Sequence, residues 1–205
     1  MGANIDLGLI HQRFFFVRHG QTDWNRSHRA MGQTDVPLNP TGEQEARAAA
    51  QRLQTCDIRM IFHSPLARAR TTAEIIADQL KLPLHPLTDL RQCNWGSMEG
   101  QPRGDESWRL AWRRGELAID GAETFREFAH RVCSAVNQAL SHGQPVLIVA
   151  HGATYAAIQR AINQADRDMQ NCLPLHYRPP GDGCADWVHE ALAAARVSGT
   201  FAPAP

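Results

Sequence analysis

The sequence predicts an α/β fold, a three-layer sandwich with a mostly parallel central sheet and helices on both faces. Short apolar runs alternate with stretches of helical periodicity, the pattern of strands covered on both sides. Three of the runs stop at polar residues, Arg18-His19, His63-Ser64 and His151-Gly152, which would share one edge of the sheet. The 205 residues suit one domain. A compact fold of that size hides roughly 70% of the unfolded chain's surface, enough to need no disulfide staple. Residues 1–205 are therefore read as a single domain, with 101–120 a small lid and 1–12 and 201–205 flexible ends.

Each element has its own signal. Arg13 to Val17 is an apolar run, a buried strand stopped by the Gly-containing turn Arg18-His19-Gly20. Thr41-Gly42-Glu43 opens a helix, with Pro40 before it and an acid in the first turn. Ile58 to Phe62 reads as a second strand, and Leu66 to Leu80 as a helix. Leu82 to Leu87 carries two prolines, so it is an edge strand or a loop. Residues 101–120 are polar and rich in Arg and Trp. Glu123 to Leu140 is helical by periodicity, Val146 to Ala150 is a buried strand, and a helix follows to Ile162. A last extended pair spans Leu173 to Arg178 and Asp186 to Glu190.

Composition removes several classes. Hydrophobic residues at 43% and charged residues at 20% argue against a disordered or fibrous chain. Lys+Arg 21 balances Asp+Glu 21, so a broadly basic nucleic-acid surface is not expected. Lys81 is the single lysine, and arginine, whose planar fork suits phosphate, supplies the other cations. The five cysteines form no CxxC pair, so neither a disulfide framework nor a cysteine zinc site is expected. No apolar run approaches the roughly 18 residues of a membrane span. Met1 to Gln12 lacks a basic n-region and a long h-region, so the expected compartment is cytoplasmic.

In open α/β sheets a ligand sits beyond the carboxyl ends of the strands. The three polar strand ends therefore mark the candidate site, and each His there could instead be an ordinary turn or core residue. Neutral imidazole is a competent nucleophile toward phosphorus, and guanidinium groups hold phosphate oxygens through bidentate, charge-assisted bonds. Nearby arginines also disfavour imidazolium and keep the nucleophile unprotonated. Arg68 and Arg70, in the first turn of their helix, oppose its dipole, a conflict that a bound anion would remove.

Five ordered segments resemble the histidine phosphatase superfamily, which includes the cofactor-dependent phosphoglycerate mutases. They are Phe16-Val17-Arg18-His19-Gly20-Gln21-Thr22-Asp23-Trp24-Asn25, the stretch from Gly32 to Gly42, and the stretch from Ser64 to Ala73. Trp95-Gly96-Ser97-Met98-Glu99-Gly100 and Val149-Ala150-His151-Gly152 complete the set. The resemblance implies a phosphoglycerate mutase-like fold, with His19 the nucleophile that forms a phosphohistidine. It implies that Arg18, Arg68 and His151 hold the phosphoryl group, that Gln21 and Asn25 support it, and that Trp95 lies at the substrate. No metal and no cofactor are implied.

One position departs from that pattern. Leu90-Arg91-Gln92-Cys93-Asn94-Trp95-Gly96 carries Gln92 where the family usually has the Glu that protonates the leaving oxygen. An amide cannot act as a general acid, help typically worth about 10²–10⁴-fold. Asp23, Glu99, Asp105 and Glu123 are candidate substitutes. The expected function is a phosphatase with weakened or altered acid catalysis. The alternatives are a phospho-ligand binding or regulatory module and a mutase-like phosphotransferase. A mutase must exclude water, which needs more enclosing chain than 101–120 supplies. There, Trp108 with Trp112 and Arg109 with Arg113 are spaced to share helix faces. They would form either a lid with a cationic rim or a Trp pair anchoring the helix to the core. The expected partners are a small phosphorylated metabolite, with phosphate as product, and neither nucleic acid nor membrane; a homodimer stays open.

Overall fold

The computed structural model describes residues 7–165, 169–181 and 184–193. Its centre is a six-stranded sheet. Strand β1 (Phe14–Arg18) leads through the short helix α1 (Asp23–Arg26) to helix α2 (Pro40–Leu53). Then come β2 (Met60–His63), α3 (Ala67–Leu80) and β3 (Leu84–Pro86). After two 3₁₀ turns the chain forms α4 (Ser107–Arg114) and α5 (Phe125–Leu140). It ends with β4 (Val146–Ala150), α6 (Gly152–Ala161), β5 (Leu175–Arg178) and β6 (Val188–Ala191).

The strand order is β3-β2-β4-β1-β5-β6. The four strands from β3 to β1 run parallel, and β5 and β6 add an antiparallel end. Alternating side chains divide the core in two, as the two-residue period of a strand requires. Phe14, Phe16, Phe62, Val146 and Ile148 pack with Phe128, Val132 and Val136 of α5 and with α6. Phe15, Val17, Ile61, Leu147 and Val149 pack with Ala46 and Leu53 of α2 and Ile76 of α3.

Several boundaries move from those read in the sequence. The second strand is Met60–His63, not Ile58 to Phe62, because Ile58 N–H is taken by the turn carbonyl of Cys56. Helix α2 begins at Pro40, with the Asn39 side chain accepting from Gly42 N–H at 3.0 Å. A proline at the first helical position loses no hydrogen bond. Helix α5 starts beyond Glu123 because Thr124 caps it in a capping box with Glu127. The proline-bearing segment is an edge strand, β3. Residues 7–12, placed in a flexible end, are pinned: Leu7 and Leu9 are buried, and Asn137 bonds to Gly8 O and Ile10 N–H. Residues 1–6 and 201–205 lie outside the described residues.

Candidate active site

The two histidine segments converge because β1 and β4 are adjacent parallel strands. Their last register pair is Arg18 with Ala150, so His19 and His151 leave the sheet side by side. The His19 N–H still donates to Ala150 O at 3.0 Å, and the two imidazole centroids lie 5.3 Å apart. Gly20 then meets α2 so closely that a Cβ there would stand 2.3 Å from Gly42 O. Only glycine permits that approach.

A cavity of about 370 Å³ opens at this edge, lined by Arg18, His19, Gln21, Asn25, Arg68, Gln92 and Trp95 among others. His151 is fully buried next to His19. Of the residues that the resemblance places at the site, all but His151 line this cavity.

The His19 Nδ1 lies 2.7 Å from Gly20 O, which can only accept. Nδ1 therefore carries the proton, and the lone pair sits on Nε2. Burial first, then the charges of Arg68 and Arg18, hold the His19 imidazole well below its ordinary titration range, against the opposing Gly20 bond. Burial and Arg68 lower His151 in the same direction, helped by His19 and Arg18. Both rings are neutral at ordinary pH, the state a nucleophile needs.

The arginines are held by main chain. Arg68 donates to Gly32 O at 2.7 Å and to Thr34 O at 3.0 Å, and Arg18 donates to Met169 O at 2.6 Å. Burial pushes the Arg68 guanidinium down to about 10, so it stays charged at neutral pH. The Nε of Arg68 and the Nδ1 of His151 are buried without a hydrogen-bond partner. Such groups cost free energy that a bound anion can recover.

Some expected roles shift. His63 does not line the cavity; its Nδ1 bonds Ser64 O at 2.9 Å, and it is Ser64 Oγ that reaches His151 Nε2, at 2.8 Å. The anion at the start of α3 is supplied by the chain itself, Asp35 accepting from Ala67 N–H at 2.7 Å.

None of the four candidate acids lines the cavity. Glu123 is held by Nε and Nη2 of Arg131, and Glu99 accepts from Gln33, Thr34 and Trp95 N–H. Asp105 bonds Ser107, whose N–H and hydroxyl hold its carboxyl below the usual range, and Asp23 pairs with Arg26. Gln92 accepts from Cys93 N–H through its side-chain oxygen, leaving its NH₂ for a ligand.

The sequence reading missed Glu106, Arg29, Arg103 and Asn171 on the wall. Arg103 and Glu106 lie in the polar stretch whose later Trp and Arg pairs did give a helical signal. Trp112 is buried among Trp95, Phe125 and Phe128, whereas Trp108, Arg109 and Arg113 face the cavity, so the segment both anchors and lines. Among the described residues no group of three or more His, Cys, Asp or Glu is placed to share a metal ion. None of the helices among them is long and apolar enough to cross a membrane.

Comparison with known proteins identifies the family. Residues 14–178 match the family model of the histidine phosphatase superfamily (branch 1). An uncharacterized phosphatase, PhoE, of Bacillus subtilis is 37% identical over 158 residues, 76% of this chain and 79% of that protein. A probable phosphoglycerate mutase, GpmB, of Yersinia enterocolitica is 36% identical over 147 residues, 67% of this chain and 68% of that one. The structure of a mycobacterial glucosyl-3-phosphoglycerate phosphatase with VO3 superposes with TM-score 0.74 at 28% identity, covering 88% of this chain and 97% of that one.

Proposed function

Because the chain belongs to the histidine phosphatase superfamily, we propose that it hydrolyses a phosphomonoester through a phosphohistidine on His19. The observation that carries this is the fixed tautomer of His19, whose Nδ1 is tied to Gly20 O while Arg18 and Arg68 flank the ring. Nε2 attacks phosphorus and the P–O bond to the leaving group breaks. Arg18, Arg68 and His151 hold the phosphoryl oxygens as charge spreads over them. Gln21 and Asn25 support the group, and Trp95 supplies an apolar wall. Water then attacks the phosphohistidine and releases phosphate.

The leaving oxygen receives little acid help. Gln92 stands at the usual donor position, and Asp23, Glu99, Asp105 and Glu123 are engaged elsewhere. Leaving groups that depart as stable anions are therefore favoured. Hydrolysis is preferred over mutase transfer because 101–120 contributes a single short helix, α4, to enclose the site. The substrate is a small phosphorylated metabolite, in keeping with the phosphatase and mutase names of the relatives.

Rapid quench with a labelled aryl phosphate tests the reading. Acid-labile, base-stable label on His19, lost in His19→Ala, is the expected result. Label on His151, on a Ser or on an Asp overturns it. Phosphate binding with no turnover of any ester favours the ligand-binding module instead, the reading to which Gln92 points.

A further inference from the structure

The main chain around His19 is pinned at successive peptide groups. His19 O accepts from Asn171 Nδ2 at 2.7 Å, and Gly20 N–H donates to Thr72 Oγ1 at 3.0 Å. One residue on, Gln21 O accepts from Asn39 N–H at 3.0 Å. Helix α2 lies so close that a Cβ on Gly42 would stand 2.2 Å from Gln21 O. That approach brings Glu45, nearly one turn further along α2, within reach of Gln21 N–H, which donates to its Oε2 at 2.7 Å. Glu43 on the same helix pairs instead with Arg47 at 3.1 Å. Glu45 stands outside the cavity lining, so its carboxylate acts on main chain and not on a ligand.

Gln21 N–H and Gly20 C=O belong to one peptide group. That C=O is the acceptor of His19 Nδ1–H, at 2.7 Å. A carboxylate, a peptide and an imidazole thus form one chain of hydrogen bonds, from Glu45 Oε2 through the Gly20–Gln21 peptide to His19 Nδ1. Resonance couples the two ends of a peptide. An anionic acceptor on the N–H shifts electron density to the oxygen, and bonds linked in this way strengthen one another by about 10–30% each.

We propose that Glu45 is a positioning residue for His19, which raises the nucleophilicity of Nε2 through the Gly20–Gln21 peptide. This rests on the reading of His19 as the nucleophile and adds a residue to it. When the Nε2 lone pair forms the N–P bond, the P–O electron pair departs with the leaving oxygen. The ring keeps its Nδ1 proton and becomes cationic. Arg18 and Arg68 oppose positive charge on that ring, and the Glu45 charge, relayed to Gly20 O, offsets part of their effect.

Glu45→Gln tests the proposal, because it keeps the shape and an accepting oxygen while removing the charge. Two readouts are needed. In proton NMR of the nitrogen-15-labelled chain, the His19 Nδ1–H resonance, shielded from solvent by burial, should move upfield in the variant as its acceptor weakens. In rapid quench with an aryl phosphate, phosphohistidine should form about five- to tenfold more slowly, the difference between a charge-assisted and a neutral hydrogen bond. Phosphate affinity by calorimetry should not fall, since Glu45 does not touch the ligand. Glu45→Ala should shift the resonance upfield as well, and should also melt lower. A Glu45→Gln chain that forms phosphohistidine as fast as wild type, or that leaves the Nδ1–H resonance in place, overturns the proposal whatever its melting point; Glu45 is then only a brace for the turn. Failure of the phosphatase reading shows separately, as absence of label on His19 in the wild-type chain, while the NMR measurement needs no turnover.

Discussion

Ser64 Oγ and His151 Nε2 lie 2.8 Å apart, although 87 residues separate them in the chain. Both are fully buried. The bond fixes the ring of the second histidine against the end of β2. Ser64→Ala should leave that ring nitrogen buried and unpaired, at a cost of about 1–3 kcal/mol. A denaturant titration should show the midpoint falling at unchanged slope, together with a lowered kcat. Unaltered stability and rate would mean that packing alone orients His151.

Gln92→Glu puts a carboxyl at the position that the proposed reading gives to the proton donor. An aryl phosphate leaves as a fairly stable anion, whereas an alkyl phosphate leaves as a strongly basic alkoxide. The substitution should raise kcat/KM on alkyl esters far more than on aryl esters, by up to about 10²–10⁴-fold. Equal ratios near one for both substrates would show that another group already supplies the proton.

Acid should destabilise the chain early. His19 and His151 have folded-state values well below the ordinary imidazole range, chiefly through burial. Above pH about 6.5 both folded and unfolded rings are neutral and contribute nothing. Below it the unfolded chain binds protons that the folded chain refuses, so stability falls as pH falls. Each ring contributes up to about 1.4 kcal/mol per pH unit in that window. His63 and His176 are shifted in the same direction and add to the slope. Melting temperatures from pH 8 to 5 should show the decline, shallower in His19→Asn. A flat profile would contradict the buried neutral pair.

Phosphate should stabilise the protein by mass action, about 2.7 kcal/mol at a hundred times its Kd. Arg68→Met removes the proposed phosphate donor and also the bonds to Gly32 O and Thr34 O. The variant should melt lower and also lose most of its response to phosphate. A lower melting point with a full phosphate response would confine Arg68 to holding the 32–34 loop.

Much of this was legible in the sequence where the cause was local. Phe14 to Val17 and Val146 to Ala150 announce buried strands because their apolar runs have no polar face. The polar residues after them mark the site because strand ends carry it. What is non-local was hidden. Nothing near His63 says that Ser64, one residue on, makes the useful contact. The four carboxylates look available until Arg131, Ser107, Arg26 and several loop N–H groups are seen to hold them. Glu106 gave no sign because a left-handed glutamate leaves no trace in composition or periodicity.

The strand order has a consequence for synthesis. Strands β1 and β2 come first from the ribosome, yet β4 lies between them in the sheet. Until residues 146–150 emerge, both strands present bare edges, one of them the run Phe14-Phe15-Phe16-Val17. Unpaired apolar edges are templates for pairing with other chains. A nascent chain stalled short of β4 therefore lacks His151 and is also sticky. Chaperone demand during translation should peak over that interval and drop once β4 slots home.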